Sequence, residues 1–321
     1  MIEKAPLKFK PYLKTVIWGG DKICNYKGIP SAGNNIGESW EISVVPGHES
    51  VVAEGKYKNR TLNDLIEEFG EELLGERVIS KYGKKFPLLI KLIDANDNLS
   101  VQVHPNDTLA MERHQSLGKT EMWYVISTSE DAKIYAGFKI KSNPDDYIKR
   151  IKEGTFTDTL AIHDSHPDDV FFLPAGRVHA IGAGNLLAEI QESSDVTYRI
   201  YDYNRRDAQG NPRELHTELA KDAIDYEVYK NYKIPHIDET KEVAPLVECE
   251  HFVTHRIKVD TSLDLSFNPG SFTVLMCLRG KVSLKYDSGN GEIKEGETVL
   301  LPATLNRLTL YGKARLLTSQ V

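Results

Sequence analysis

The sequence predicts a mainly β protein, built as a sandwich or barrel with a few short helices inserted between strands. Three observations favour this class. Short runs rich in β-branched and aromatic residues recur along the chain, and Gly, Pro, Asn or Asp lies near most of their ends. No apolar run in the 321 residues approaches the length of a membrane span. The chain is long enough for one large β domain and a smaller one.

Seven runs predict strands in the first two thirds of the chain. They contain Val, Ile, Leu or aromatic residues and have chain breakers near most of their ends, a pattern that is typical of strands with one or both faces buried. The predicted strands span 39–45, 87–94, 99–104, 121–127, 169–174, 186–193 and 196–203.

Four segments between these strands predict helices. The longest repeats Leu, Ile and Phe at helical spacing, and its Thr61 and Asp64 suit a first helical turn. The second helix directly follows His104-Pro105, so we interpret it as an insertion between two strands. The predicted helices span 61–80, 107–115, 143–154 and 215–227.

A domain boundary is predicted within the polar, proline-containing stretch 228–245, and we divide the chain into 1–235 and 236–321. The second unit has a purely β pattern. Segment 169–175 aligns with 297–303, and in this frame the position of His179 is taken by Arg. The short match predicts two related β units, of which the second lacks the histidine.

Composition argues against several classes of protein. With 40 Lys and Arg against 47 Asp and Glu, the net charge is −7, which does not favour binding to nucleic acid. The N-terminus has no apolar signal core, and a membrane partner is not expected. Cys24, Cys249 and Cys277 are far apart and form no Cys-x-x-Cys zinc pattern. These features predict a cytoplasmic protein.

Four polar residues on the predicted strands form a candidate metal site. Gln102 and His104 are two positions apart on one strand and therefore share a face. Glu121 opens a later strand, and His179 follows the turn 174–176. Two nitrogen and two oxygen ligands suit Zn²⁺ or another divalent first-row metal. Taken alone, Gln102 and His104 would also fit a solvated sheet face, and a lone histidine is more often structural.

Two lysines lie near this set. Lys119 would face the same way as Glu121 if the strand began two residues earlier, and it could then hold a sugar hydroxyl or a phosphate. The alternative is a solvated lysine at a helix exit. Lys91 is an unusual charge in an apolar strand, where it is either buried and paired or placed at a sheet edge.

The segment 189–201 carries a second group of polar residues. On a continuous strand its odd-numbered positions share one face, although a bulge at Ser193-Ser194 would break this alternation. An arginine beside carboxylates indicates either an ion-pair network or a site for an anion or enediolate. The odd-numbered polar positions are Glu189, Gln191, Asp195, Arg199 and Tyr201. We interpret the Trp-Gly-Gly at 18–20 as a turn, since it lacks the pattern of a phosphate loop.

The motifs in combination identify a family. Pro174-x-Gly176-x-x-His179 resembles the second motif of the cupin superfamily. Together with the segments 102–105, 119–122 and 176–180, the chain resembles type I mannose-6-phosphate isomerases in their short bacterial form. Further matching segments are 18–20, 37–40, 194–199 and 201–203.

The resemblance implies a cupin-type β-sandwich or jelly-roll catalytic domain with helical insertions, followed by a smaller, degenerate cupin-like β-sandwich without metal. It also implies one Zn²⁺ per chain, although another divalent metal is possible, in an enzyme of carbohydrate metabolism that is a monomer or small homo-oligomer. The implied metal ligands are Gln102, His104, Glu121 and His179. The implied catalytic residues are Lys119, Asp195 and Arg199. The 17 positions between His104 and Glu121 exceed the spacing of a plain cupin, and the family has an insertion there.

The implied reaction converts mannose 6-phosphate to fructose 6-phosphate through a cis-enediolate, with the metal and Arg199 stabilising negative charge. Glu189 and Asp195 are candidate bases, and Arg199, Lys119 and Lys91 are the cations available for the phosphate. One alternative is a non-catalytic cupin that binds a sugar or sugar phosphate. Another is a different metal cupin enzyme such as an iron oxygenase, which Gln102 as a fourth ligand disfavours.

Overall fold

The structure is a computed structural model that describes residues 1–30, 33, 35–206, 210–235 and 237–321. The described residues are mainly β, as predicted, and their helices are short. None of these helices has the length and apolar character needed to cross a membrane.

Thirteen strands form in the first two thirds of the described chain. They are β1 Leu7–Lys10, β2 Tyr12–Gly20, β3 Ile36–Ile42, β4 Val51–Val52, β5 Leu88–Asp94, β6 Val101–Val103, β7 Glu121–Thr128, β8 Lys133–Phe138, β9 Leu160–Asp164, β10 Val170–Leu173, β11 His179–Ile181, β12 Asn185–Glu192 and β13 Tyr198–Tyr201. Each of the seven runs predicted as strands overlaps one of them.

Seven strands follow in the last third of the described chain. They are β14 Val243–Glu248, β15 Val253–Val259, β16 Ser262–Ser266, β17 Thr273–Tyr286, β18 Gly289–Lys294, β19 Thr298–Leu301 and β20 Arg307–Gln320. No helix interrupts them in this part of the described chain, which confirms the purely β pattern predicted there.

The helices lie in the connections between strands. They are α1 Lys22–Lys27, α2 Leu62–Phe69, α3 Glu71–Leu74, α4 Glu76–Tyr82, α5 Asp107–His114, α6 Pro144–Glu153 and α7 Thr217–Ala223, with a 3₁₀ turn at Phe156–Thr159. All four predicted helices are present. The first is divided into α2, α3 and α4 because Gly70 and Gly75 have positive φ angles of 44° and 91°.

Two sheets form the sandwich that holds the polar residues. A six-stranded sheet has the order β10-β7-β12-β5-β3-β2, and a five-stranded sheet has the order β13-β6-β11-β8-β9. Apolar side chains from both sheets pack in one cluster between them, including Trp123 and Leu187 from the first sheet and Ile134 and Ile181 from the second. The space between the sheets is therefore the interior in which a site can be built.

The third sheet joins both ends of the chain. Its order is β14-β15-β20-β17-β19-β1-β4, with β16 paired to β20 and β18 paired to β17. Leu7 of β1 pairs with Leu300 of β19, so the N-terminal strand belongs to the C-terminal sheet. The predicted division between 235 and 236 remains a prediction, and His236 lies outside the described residues.

Two details differ from the sequence prediction. The segment 18–20 is the end of strand β2 and not a turn. A Cβ atom at Gly19 would lie 2.4 Å from the carbonyl oxygen of Asn35, so glycine here permits close approach of two backbones. The segment 189–201 is not one strand, because the chain leaves the six-stranded sheet after Glu192 and enters the five-stranded sheet at Tyr198.

Candidate metal centre and active site

A row of polar side chains crosses the five-stranded sheet. Arg199 on β13 is in register with Gln102 on β6, and Gln102 is in register with His179 on β11. Residues in register on neighbouring strands share a face of the sheet. Three residues that are far apart in sequence therefore stand side by side.

A second row crosses the facing six-stranded sheet. Trp40 on β3, Lys91 on β5, Glu189 on β12 and Trp123 on β7 are successive partners in register. Glu121 lies two residues before Trp123 on the same strand and shares its face. The two sheets thus present their polar rows to the space between them.

Three of the four predicted metal ligands converge in this space. Ligand atoms of His104, Glu121 and His179 all lie within 4.8 Å of one another, and all three residues are buried. Nε2 of His179 is 3.3 Å from Oε1 of Glu121, and Nε2 of His104 is 3.6 Å from Oε2 of Glu121. One ion placed among them could reach all three side chains.

The fourth predicted ligand is adjacent to this group. Nε2 of Gln102 lies 3.2 Å from Nε2 of His179. The oxygen and nitrogen of an amide exchange places by rotation of the terminal group, so Gln102 can present its oxygen at this position. The geometry brings all four predicted ligands together in the space between the two sheets.

Backbone contacts fix which nitrogen of each imidazole faces the centre. Nδ1 of His104 lies 2.9 Å from the carbonyl oxygen of Val196, and Nδ1 of His179 lies 2.9 Å from that of Arg177. A carbonyl oxygen only accepts hydrogen bonds, so Nδ1 carries the proton in both rings. Each Nε2 then directs a lone pair toward Glu121, as metal-binding histidines do.

Burial keeps both imidazoles neutral. It holds the pKa of His104 well below its ordinary value and lowers the pKa of His179 to about 3, because a charged ring would lose its hydration. Burial and the neighbouring Glu189 raise the pKa of Glu121 to about 7, against the effect of Lys119. Two lone pairs and a buried carboxylate therefore face one point, which is an arrangement that favours a cation.

Lys119 provides the positive charge next to this centre. Its Nζ lies 2.7 Å from Oε2 of Glu121, 3.0 Å from Nε2 of His104 and 3.9 Å from Oε1 of Glu189. Burial by itself lowers the pKa of Lys119, but Glu121 and Glu189 outweigh it and raise the pKa above its ordinary value. The interpretation as a solvated helix-exit lysine is therefore wrong.

A cavity of about 310 Å³ opens beside the centre. Gln102 and Lys119 belong both to the centre and to the cavity wall. Trp18 and Trp40 give the cavity aromatic surfaces. All three residues that the sequence predicted as catalytic line it, namely Lys119, Asp195 and Arg199.

Carboxylates and lysines alternate along the cavity wall. Nζ of Lys91 lies 3.4 Å from Glu189 and 3.6 Å from Glu38. Of the two placements that the sequence left open for Lys91, the buried and paired one is correct. Glu189 also accepts a hydrogen bond of 2.8 Å from the indole nitrogen of Trp123. These contacts fix the orientation of the Glu189 carboxylate.

Arg199 and Asp195 stand apart from these pairs. Arg199 is half-buried and donates a 2.9 Å hydrogen bond from Nη1 to the carbonyl oxygen of Glu214. No carboxylate among the described residues forms an ion pair with it, which favours the anion-site interpretation over an ion-pair network. Asp195 is exposed at the rim, where it also borders a groove of about 520 Å³.

Two polar positions that the segment 189–201 suggested lie outside the cavity lining. Gln191 is buried and donates from Nε2 to the carbonyl oxygens of Glu192 and Ser194, so it orders the turn that precedes Asp195. Tyr201 packs against a hydrophobic cluster on the far side of the five-stranded sheet. Tyr201 leaves the common face because the register of β13 with β6 shifts between Arg199 and Tyr201, whereas Gln191 stays in register with Glu121 but is taken up by the turn.

The sequence did not assign a role to several residues of the cavity wall. Glu38 accepts a 2.7 Å hydrogen bond from the indole nitrogen of Trp40 and lies 3.4 Å from Nζ of Lys14. Burial alone would raise the pKa of Glu38, but Lys91, Lys14 and Trp40 outweigh it and hold the pKa at about 2. The feature of the sequence that could have indicated Glu38 was a glutamate within the buried strand β3. Arg213 also lines the cavity, and it pairs with Asp202.

Comparison with known proteins matches this architecture. Residues 7–130 match the catalytic domain model of type I phosphomannose isomerases, and residues 242–321 match the cupin domain model of mannose-6-phosphate isomerases. Over 325 residues the chain is 34% identical to the putative mannose-6-phosphate isomerase YvyI of Bacillus subtilis, with 99% of both chains covered. It is 33% identical over 315 residues to the mannose-6-phosphate isomerase of Streptococcus mutans, with 98% of both covered.

Solved structures give the same result. The crystal structure of the mannose 6-phosphate isomerase from Bacillus subtilis superposes with a TM-score of 0.90 at 33% identity, covering 99% of this chain and 100% of that one. A putative mannosephosphate isomerase from Archaeoglobus fulgidus has the same fold, with a TM-score of 0.81 at 24% identity over 98% of this chain and 96% of that one. The predicted cupin fold is confirmed.

Proposed function

The chain belongs to the type I phosphomannose isomerase family, and on that premise we propose that it interconverts mannose 6-phosphate and fructose 6-phosphate in the cavity between the two sheets. The reaction moves one hydrogen between C1 and C2 of the sugar by way of a cis-enediolate. The convergence of His104, Glu121 and His179 beside a cavity that contains Lys119 and Arg199 is the observation that carries the proposal.

We propose that Gln102, His104, Glu121 and His179 hold one Zn²⁺ per chain. The two neutral imidazoles with lone pairs at Nε2, the buried carboxylate and the nearby amide form a donor set that suits this ion. Oε1 of Glu121 has no hydrogen-bond partner among the described residues, and Oε2 contacts Lys119 at 2.7 Å, so Oε1 is the oxygen open to a metal. Such an ion supplies Lewis acidity toward the sugar oxygens.

Lys119 is proposed to act as a proton donor and not as the base. Its ammonium is held in the charged form by Glu121 and Glu189, so at neutral pH it can donate a hydrogen bond to a sugar oxygen. It also lines the cavity in which the sugar is expected to bind. We assign to it the ring opening or the movement of a proton between the sugar oxygens.

Glu189 and Asp195 remain the two candidate bases for the C2 proton. Glu189 is buried and oriented by Trp123 and Lys91, whereas Asp195 is exposed at the rim of the cavity. Replacing the true base abolishes exchange of the C2 hydrogen with solvent deuterium, because no other group then accepts that proton. Glu189→Gln and Asp195→Asn, measured by NMR in D₂O, distinguish the two.

Arg199 is proposed to stabilise the negative charge of the enediolate. Its guanidinium has no carboxylate partner among the described residues, so its charge is available to a ligand in the cavity. Lys91 and Lys119, the other cations considered for the phosphate, are already paired with carboxylates. A preorganised cation in a largely buried site acts most strongly on charge that develops during the reaction.

A non-catalytic sugar-binding cupin would not need Lys119, Asp195 and Arg199 in the same cavity, and all three line it. We further propose that the enzyme works in the cytoplasm as a monomer or small homo-oligomer. The free thiols of Cys24, Cys249 and Cys277 support a reducing compartment.

A coupled assay for fructose 6-phosphate tests the proposed function. The purified protein should convert mannose 6-phosphate, lose this activity with a chelator and regain it when Zn²⁺ is added back. His104→Ala should be inactive, whereas His166→Ala, which removes an exposed histidine, should match the wild type. If sugar phosphate binds without turnover, the binding-module alternative replaces the proposal.

A further inference from the structure

Thr120 lies between Lys119 and Glu121, which both belong to the candidate metal centre. Lys119 precedes it and Glu121 follows it, so the position of its peptide groups sets where both side chains begin. Strand β7 starts only at Glu121, and the register of β7 with β12 ends at the pair Glu121 and Gln191. Lys119 and Thr120 thus lie beyond the regular sheet and need other contacts to hold them.

Pro105 accepts a 3.1 Å hydrogen bond from the N–H of Lys119, and Glu192 supplies the main-chain contacts of Thr120. The backbone N–H of Glu192 donates a 3.1 Å hydrogen bond to the carbonyl oxygen of Thr120. Its side chain oxygen Oε2 accepts a 2.7 Å hydrogen bond from the backbone N–H of Thr120. Both main-chain polar groups of Thr120 are therefore bound by one residue. The Glu192 side chain is buried, so water cannot replace it without a local opening of the structure.

The second carboxylate oxygen of Glu192 contacts the C-terminal part of the chain. Nδ1 of His251 lies 3.0 Å from Oε1 of Glu192. His251 is in the loop between β14 and β15, which is closed by a 3.0 Å hydrogen bond from the N–H of Cys249 to the carbonyl oxygen of Phe252. Lys81 of α4 donates a 2.7 Å hydrogen bond to the carbonyl oxygen of Glu250 in the same loop.

This contact connects the C-terminal segment to the active site. Among the described residues that line the cavity, none comes from 237–321. The segment nevertheless reaches the centre through His251, Glu192 and the backbone of Thr120. A carboxylate with one oxygen in a hydrogen bond to Thr120 and the other 3.0 Å from His251 is restricted in orientation, as a positioning group requires.

We propose that Glu192, braced by His251, is a positioning residue that sets Lys119 and Glu121 for isomerisation and for metal binding. The kinetic part of this inference rests on the proposed function. Neither residue touches the cavity, so both act through Thr120. Loss of a partner that orients a metal ligand weakens metal affinity or activity by about 10-fold to 100-fold, which is the size of effect expected here.

Four variants test the proposal. Glu192→Leu removes the acceptor for Thr120 and should lower kcat and weaken Zn²⁺ binding by at least about tenfold each. Glu192→Gln keeps an oxygen for Thr120 and an amide for His251, so it should stay within about threefold of the wild type. His251→Leu should give a smaller loss in the same two quantities. Glu250→Gln, in the same loop, is the control and should change neither.

The double variant Glu192→Leu/His251→Leu separates positioning from general stability. If His251 acts only through Glu192, the double variant is no worse than Glu192→Leu alone. Chelator competition gives the Zn²⁺ dissociation constant, steady-state kinetics give kcat and KM, and thermal melts give Tm. Losses of Tm with unchanged kcat and unchanged Zn²⁺ affinity would overturn the proposal, as would multiplicative effects in the double variant.

The test still gives an answer if one variant does not fold or if the wild type shows no isomerisation. If Glu192→Leu does not fold, His251→Leu against Glu250→Gln decides the matter, because unchanged Zn²⁺ affinity in His251→Leu contradicts the proposal. If the wild type shows no isomerisation, the proposed function fails, yet the Zn²⁺ dissociation constants still measure whether Glu192 positions Glu121.

Discussion

At the scale of single residues, Arg199 separates an enzyme from a binding module. Its side chain lines the cavity in register with Gln102, and no described carboxylate neutralises it. We predict that Arg199→Ala lowers kcat by at least about a hundredfold, since one preorganised electrostatic group contributes that much to a transition state. Arg199→Lys should rescue poorly, because an ammonium does not reproduce the planar guanidinium. Kinetics and metal analysis on the purified variants provide the measurement.

The control for this experiment is Arg150→Ala. Arg150 pairs with Asp146 on the surface helix α6 and does not line the cavity, so its loss should leave kcat unchanged. Zn²⁺ content should be the same in all these proteins, since a charged guanidinium does not bind a metal. A rise in KM with an unchanged kcat would instead make Arg199 a residue that binds the phosphate.

The ionised side chain of Glu38 should make the stability of the fold depend on pH. Its pKa is about 2 in the folded protein, below the value of 4.5 for an unperturbed glutamate. A carboxylate whose folded pKa is depressed stabilises the fold above its unfolded pKa, and that contribution is lost as the pH falls through the folded pKa. Glu38→Gln should therefore destabilise the protein at pH 7, on the order of 3 kcal/mol for a broken buried pair.

The difference in unfolding free energy between the wild type and Glu38→Gln should narrow as the pH falls from about 4.5 toward 2. Urea unfolding at several pH values measures it. The exposed carboxylate Glu153, replaced by Gln, is the matched control and should give a small difference. A Glu38→Gln effect that stays constant from pH 7 to pH 3 would mean that the charge of Glu38 is not what stabilises the fold.

Residue types and spacing predicted four candidate ligands that the structure brings together, but not the residues around them. Gln102, His104, Glu121 and His179 were identifiable because ligand chemistry and strand periodicity restrict which side chains can meet. The Trp40–Lys91–Glu189 row was not predictable in this way. It depends on the register of β3, β5 and β12, which only the folded sheet fixes.

At the scale of elements, the division of the first predicted helix depends on two glycines. Gly75 has a φ of 91°, and a Cβ atom there would lie 2.3 Å from the carbonyl oxygen of Gly270. Gly75→Ala should therefore lower the unfolding free energy by about 2 kcal/mol or more, through both backbone strain and a backbone clash. Thermal or urea unfolding measures the loss.

Gly83 is the matched comparison at the end of α4. It also has a positive φ, but a Cβ atom there would meet nothing within 4 Å. Gly83→Ala should cost only the backbone penalty of this glycine-specific positive-φ conformation, about 1–3 kcal/mol, and less than Gly75→Ala. Equal losses in the two variants would show that contact with Gly270 does not explain the helix break.

Periodicity predicted that helices lie at 61–80 but not where they break. A repeat of Leu and Ile at helical spacing continues across Gly70 and Gly75, so the pattern alone indicates one helix. The close approach of Gly75 to Gly270 is a contact between distant parts of the chain. Local sequence carries no direct signal of such a contact.

At the scale of the whole molecule, the fold should not depend on the metal. Separate apolar clusters fill the sandwich, the C-terminal sheet and the space between them. We predict that chelation abolishes activity but leaves the circular dichroism spectrum largely unchanged, because these cores stay buried. Global unfolding on chelation would instead identify the metal site as structural.

Pairing between distant strands was the part of the architecture that the sequence could not provide. Leu7 of β1 pairs with Leu300 of β19, although almost the whole chain lies between them. A run such as 7–10 has the same local character wherever its partner lies, so composition cannot choose the sheet it joins. The resemblance predicted two β units, but it did not predict that the N-terminal strand would complete the C-terminal sheet.

The most direct test of the metal-dependent isomerase is a Zn²⁺ titration of the apoprotein, followed by the rate of fructose 6-phosphate formation. We predict that activity rises linearly and stops rising at one equivalent of Zn²⁺ per chain. In Glu121→Gln, which loses the charge of the proposed ligand, we expect little activity at one equivalent. Full activity in the metal-free protein, or an end point at a different stoichiometry, would contradict this prediction.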